Sequence, residues 1–246
     1  MALSLQADAF IDTIKLPDSN HRLVRARGGD IPQSSEVSGI EVRLSQVLIK
    51  DNGTETIWPF PGYADVYVLI VVLDNLTKEP QTLTLQGFAG VDDHESLPVD
   101  RTAYFWKKET DSSPAPSQIH VLLSVLKSKN KLRNTGKVLA HVKENPEYTS
   151  LIAQIGKAVA GPTGVAVDLL LQVGTVVGSI LERVEDKPLF TQVISFTDLN
   201  GNFDSLGKTT HSQQNNNVET VLTLTIRDRK REAMMAKSVN EVTASA

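Results

Sequence analysis

Apolar and polar residues alternate along several short stretches of this chain, and a period of two is the signature of a half-buried β-strand. Ile40, Val42 and Leu44 alternate, and the phase then shifts to Val47 and Ile49, as a β-bulge would shift it. Asp65–Leu73 (DVYVLIVVL) is almost continuously apolar and β-branched, which predicts a central strand buried on both faces. Gln81–Phe88 and Arg101–Lys108 read as shorter strands. Gln118–Leu126 places Ile119, Val121, Leu123 and Val125 on one face. Phe190–Thr197 and Val218–Ile226 alternate again near the end of the chain.

Between Gln118–Leu126 and Phe190–Thr197 the period changes for about sixty residues. Lys131–Val142, Ser150–Val159 and Val165–Val184 are expected to be helices, with Pro146 resetting the chain and Gly161-Pro-Thr-Gly164 joining the last two. On the last of them Asp168, Gln172, Thr175, Ser179 and Glu182 form one narrow polar stripe, so most of that cylinder must be hidden. The pattern predicts a mainly β protein, an antiparallel β-sandwich over residues 37–228 with a helical insertion at about 131–184. Residues 1–36 read as an N-terminal arm and 229–246 as a basic tail.

Length and composition allow that fold, since 246 residues with 40% hydrophobic content can bury a sizeable core. A net charge of -4 gives no general attraction to nucleic acid. The absence of cysteine excludes disulfides and thiolate metal sites. No basic segment precedes an apolar core at the N-terminus, so a cytoplasmic location is the default expectation, with export by a signal-independent route left open.

Candidate chemistry gathers where the Phe190–Thr197 strand breaks. Asp198, Asn200, Asn202 and Asp204 place side-chain oxygens at alternate positions in a segment that must turn. Those oxygens either hold a cation or cap the backbone of a corner. An EF-hand is excluded, because Phe203 and Thr209 stand where that loop needs Gly and Glu.

Two motifs together resemble the C2-domain family of calcium- and phospholipid-binding β-sandwiches. The early strand Ile40–Ile49 leads through Asp51 into Gly62-Tyr-Ala-Asp65-Val-Tyr67-Val68, similar to that family's Gly-x-Ser-Asp-Pro-Tyr-Val. Asp198-Leu-Asn200 followed by Asp204-Ser-Leu-Gly207 is similar to its late Asp-x-Asp and Asp-Phe-Ile/Leu-Gly, with Asn200 in place of the second aspartate. The resemblance implies a C2-like sandwich in which Asp51, Asp65, Asp198, Asn200 and Asp204 meet at one end around calcium.

Residues 112–143 contain no acidic side chain and carry Lys127, Lys129, Lys131, Arg133, Lys137 and Lys143. Lys127, Lys129, Lys131, Arg133 and Lys137 are candidates for contact with anionic lipid or another anion, or they form a solvated strand end and helix face. The helix pair invites a membrane reading, Gly174-x-x-x-Gly178 included, but Asp168 and Gln172 would be costly in hydrocarbon. The five histidines are scattered and no Gly-x-Ser-x-Gly or phosphate-binding glycine loop appears, so no enzyme and no small-molecule substrate are expected. The expectation is a non-catalytic interaction module that docks on a membrane surface or a protein partner, with calcium as the candidate cofactor. Its alternatives are a structural or adaptor subunit with degenerate calcium loops, and a toxin-like protein that inserts its helical hairpin.

Overall fold

A computed structural model describes residues 37–55, 62–77, 79–128, 132, 134–158, 163–181, 187–204 and 206–228, and the arm and tail lie outside them. Among the described residues, nine strands form two antiparallel sheets: β1 (Gly39–Ile49), β2 (Ala64–Asp74), β3 (Thr82–Val91), β4 (Glu95–Leu97), β5 (Arg101–Lys107), β6 (Gln118–Ser128), β7 (Lys187–Thr197), β8 (Gly207–Gln214) and β9 (Val218–Arg227). Three helices intervene before β7: α1 (Thr135–Glu144), α2 (Pro146–Ala158) and α3 (Thr163–Leu181). The molecule is therefore mainly β, a sandwich with a helical insertion, as the hydrophobic pattern predicts.

One sheet has the order β4-β1-β9-β8, with β5 also paired to β1, and the other the order β3-β2-β6-β7. In the first, β9 buries Val218, Thr220, Leu222, Leu224 and Ile226 and leaves the intervening residues partly exposed. That alternation belongs to a sheet with one face in the core and one in solvent. The bulge expected in β1 is present, as a register shift between Leu44 and Gln46 against β9.

The second sheet is covered on both sides. Val66, Val68, Ile70 and Val72 of β2 join the core between the sheets, while Tyr67, Leu69, Val71 and Leu73 pack under the helices. Each such side chain contributes about 1.5–3 kcal/mol through burial. The unbroken apolar run of β2 thus has two partners rather than one.

Asparagines set the helix boundaries. The Asn134 side chain accepts a hydrogen bond from the Lys137 amide at the start of α1. Asn145 closes α1 and its Oδ1 then accepts from Glu147 N at 2.8 Å, capping α2. Pro146 occupies the first position of α2, where its missing N–H costs nothing. Helix α2 consequently begins four residues before the expected Ser150.

Asp168, Gln172 and Thr175 of α3 are exposed, whereas Leu169, Leu170, Val173, Val176 and Val177 are buried against the sheet and its neighbouring helices. Gly174 permits the approach: a Cβ there would lie 3.1 Å from Leu122 Cδ2. No helix among the described residues is long and apolar enough to cross a membrane.

Candidate functional site

The two aspartate-bearing loops lie at opposite ends of the sandwich. Strand β2 runs antiparallel to β6, and β6 antiparallel to β7, so β2 and β7 run the same way. Asp65 starts β2, opposite Ser128 at the end of β6. Asp198 follows the end of β7, where Thr197 pairs with Gln118 at the start of β6. The span of β2 between these ends is about 30 Å at about 3.3 Å per residue. This corrects the expectation that Asp51, Asp65, Asp198, Asn200 and Asp204 surround one cation.

At the first end Asp51 and Asp65 come near Asn52, the organiser of the loops there. Asn52 is fully buried. Its Nδ2 donates to the carbonyls of Gly62 (2.6 Å) and Val91 (3.0 Å), and its Oδ1 accepts from Thr54 N at 2.8 Å. Asp93 Oδ1 accepts from the Asn52 amide at 2.8 Å. Asp51 Oδ1 accepts from Gly53 N (2.7 Å) and Asp65 Oδ1 from Gly90 N (2.9 Å). These carboxylates serve the local backbone, as turn residues do. His94, in the acidic loop Asp92–Glu95, holds φ at 61°.

The second end is a corner built on amides. Asn202 Oδ1 accepts from Thr197 N at 2.9 Å, and the amides of Asn200 and Asn202 both donate to Thr197 O. Gly201 takes φ of 67°, and a Cβ there would lie 2.8 Å from Asp204 Oδ2. Phe203 is fully buried and plugs this end of the core. Leu199, four residues earlier, is 95% exposed.

A calcium ion would need six to eight oxygens in one place. The five candidates do not fit that demand, being divided between two ends with Asp51 and Asp65 each already accepting a backbone amide. Among the described residues, no group of three or more His, Asp or Glu side chains is placed to hold a metal ion.

Of the basic candidates, Lys127 and Lys137 are among the described residues. Lys127 Nζ donates to Gly53 O at 2.6 Å, tying the end of β6 to the neighbouring loop. Lys137 is exposed on the first turn of α1. Lys129, Lys131 and Arg133 lie outside the described residues.

Two buried polar clusters escaped the sequence reading. Asp74, at the end of β2, accepts from Leu76 N, Thr77 N and Thr77 Oγ1 through Oδ1 and from Tyr104 Oη at 2.9 Å through Oδ2. Burial, and then the adjacent Asp74 carboxylate, push the Tyr104 hydroxyl well above its ordinary range, so it stays a hydrogen-bond donor. On the helix-facing side of β6, fully buried His120 places Nδ1 2.8 Å from Ser195 Oγ and Nε2 3.3 Å from Gln118 Oε1. Burial holds its pKa below the ordinary histidine value. Ser124 Oγ and Thr191 Oγ1, 2.7 Å apart, repeat this polar stitching between β6 and β7. The signal available was a polar residue interrupting the apolar run of β6.

No protein-family model matches the chain, and no curated protein matches it. Among solved structures it is similar to a Drosophila C2-DSL-EGF1 structure at 6% identity, over 77% of this chain and 67% of that chain, with a TM-score of 0.29. A likeness that weak carries no argument.

Proposed function

We propose that this chain is a non-catalytic interaction module that joins protein partners, with its end loops acting as structural turns rather than as a calcium clamp. The observation that carries this reading is the unequal cover of the two sheets. The described helices pack onto one of them, and among the described residues the outer face of the other presents Glu41, Arg43, Thr210, Thr223 and Thr225, with Phe105, 66% exposed, opposite Glu41. Arg43 and Asp100 form a bidentate pair on it, Nε and Nη2 donating to the two carboxylate oxygens at 2.5 and 2.8 Å. Such a surface suits polar, protein-type recognition.

Sizing of the full chain with and without calcium, beside co-sedimentation with anionic liposomes, tests this. Assembly indifferent to calcium and no pelleting are expected. Calcium-dependent pelleting abolished by Asp198→Ala would overturn the reading. A second reading rests on Leu199 (95% exposed) and Leu76 (37% exposed), both in loops beside the start of β6. These would dip into a lipid surface, and calcium-independent pelleting lost in Leu199→Ser would favour it.

A further inference from the structure

Every open sheet must protect its outermost strands, because these present unpaired N–H and C=O groups to any passing strand. Three of the four flanks here are protected. Strand β3 breaks register between Ala64 and Val66 against β2, and Leu132 lies over it, within 3.3 Å of where a Gly87 Cβ would be. Strand β4 has only three residues. Strand β5 carries Arg101 and Lys107 at its two ends, and its Ala103 carbonyl accepts from Thr82 Oγ1 at 2.6 Å. Strand β7 opens with Lys187-Pro188, and its Leu189 carbonyl accepts from Asn215 Nδ2 at 2.8 Å.

Strand β8 has no register break, no shortening and no charge or proline at both ends, and the side-chain bond to its backbone, Thr220 Oγ1 donating to Gln213 O at 3.4 Å, comes from the strand it already pairs with. It is eight residues long, GKTTHSQQ, with no proline and a single charge, Lys208. It pairs in unbroken register with β9, and no second strand among the described residues pairs with it. Seven of its eight residues are exposed and only His211 is partly buried, edge-on to Phe196 with ring centroids 5.1 Å apart.

We propose that β8 is a self-pairing edge: two copies of this chain join antiparallel along it about a two-fold axis, making one continuous sheet. This rests on the interaction-module reading and names the partner, a second copy. Charge selects that occupant. Thr210 and Ser212 pair with Thr223 and Val221, on the solvent face, while Thr209 and His211 pair with buried Leu224 and Leu222. In a continuous sheet, like faces must meet across the new ladder. Either Thr210 then faces Thr210, or one step along His211 faces His211. Lys208 is set against Ser212, whose Oγ donates to Glu219 Oε1 at 3.4 Å, in the first register, and against Gln214, whose Oε1 accepts from Lys50 Nζ at 3.1 Å, in the second, so charge favours the first. The remaining cross-strand pairs join Thr, Ser, Gln and His, which can hydrogen-bond to one another.

The ladder alone is smaller than a standard interface of about 1,600 Å², so pairing should depend on concentration. Sedimentation equilibrium of the full chain from about 1 µM to about 1 mM should show a monomer–dimer equilibrium. The variant Thr210→Lys/Ser212→Lys opposes like charges in both registers and should weaken the dimer about tenfold or more, with its circular dichroism and melting unchanged. Mixing it with Thr210→Glu/Ser212→Glu should restore a heterodimer. Glu109→Lys, which shifts net charge equally at an exposed site outside the strands, should leave pairing intact.

A wild-type monomer throughout that range would overturn the proposal, and β8 amides already protected from exchange in it would assign the edge to another segment of the chain. A dimer indifferent to the lysine pair would equally overturn it. None of these outcomes alters the calcium and liposome tests, so the broader reading stands or falls separately.

Discussion

The two sheets use similar strands but have different neighbours. The sheet β3-β2-β6-β7 is buried from both sides, and its central strand β2 reads as an apolar run. The sheet containing β1, β9 and β8 is covered from one side, and its strands alternate until, at β8, hydrophobic character vanishes altogether. The number of covered faces, two, one or almost none, is what each strand's sequence records.

The comparison can be broken most sharply by truncation. Leu69→Ala, on the helix-facing side of β2, should cost about 2–5 kcal/mol, whereas Thr225→Ala, on the solvent face of β9, should stay within about 0.5 kcal/mol. Urea unfolding of both variants measures the contrast, and equal losses would show that the helices add little to the covered sheet. A smaller loss is expected where helix and strand approach most closely. Gly174→Val drives a branched side chain toward Leu122 and should destabilise by about 1–3 kcal/mol, read from the same urea midpoints. An unchanged midpoint would mean that α3 sits farther from β6 than described.

The most gradual effect concerns one histidine in each sheet, His120, fully buried under the helices, and His211, partly buried against Phe196. Burial lowers the pKa of both below the ordinary value of 6.5. The unfolded chain therefore takes up protons first as the solution is acidified. Stability is complete above about pH 6.5 and should decline below it, levelling off once pH has passed beneath the lowered native values. Urea midpoints between neutral and mildly acidic pH should record this. His120→Gln should flatten the decline more than His211→Gln, since His120 is fully buried and His211 only partly so.

How much of this was legible follows from the same contrast. The double burial of β2, the bulge in β1 and the exposed stripe of Asp168, Gln172 and Thr175 are all written in periodicity, because each reflects a boundary between water and core. Strand β8 was unreadable for the opposite reason: with His211 alone partly buried, GKTTHSQQ has no hydrophobic alternation to display. Strand β4, at three residues, is shorter than any window.

The placement of the aspartates failed for a different cause. Both motifs are local, but which end of a sandwich a loop occupies depends on how many antiparallel reversals separate its strand from the other. Here β2 and β7 flank β6 on either side and so run alike, which sends the start of one and the finish of the other to opposite ends. The carboxylates that looked like a converging ligand set are spent instead on amides such as those of Gly53 and Gly90.

The helical insertion also bears on how this protein can be handled. Replacing residues 131–184 by a short linker would not yield a minimal sandwich, because Tyr67, Leu69, Val71, Leu73, Leu122 and Leu126 would lose their cover together. The trimmed product would present a greasy slab to water and come out of solution. For this chain the excursion between β6 and β7 is an integral wall of the domain, and any expression or fusion strategy has to keep it whole.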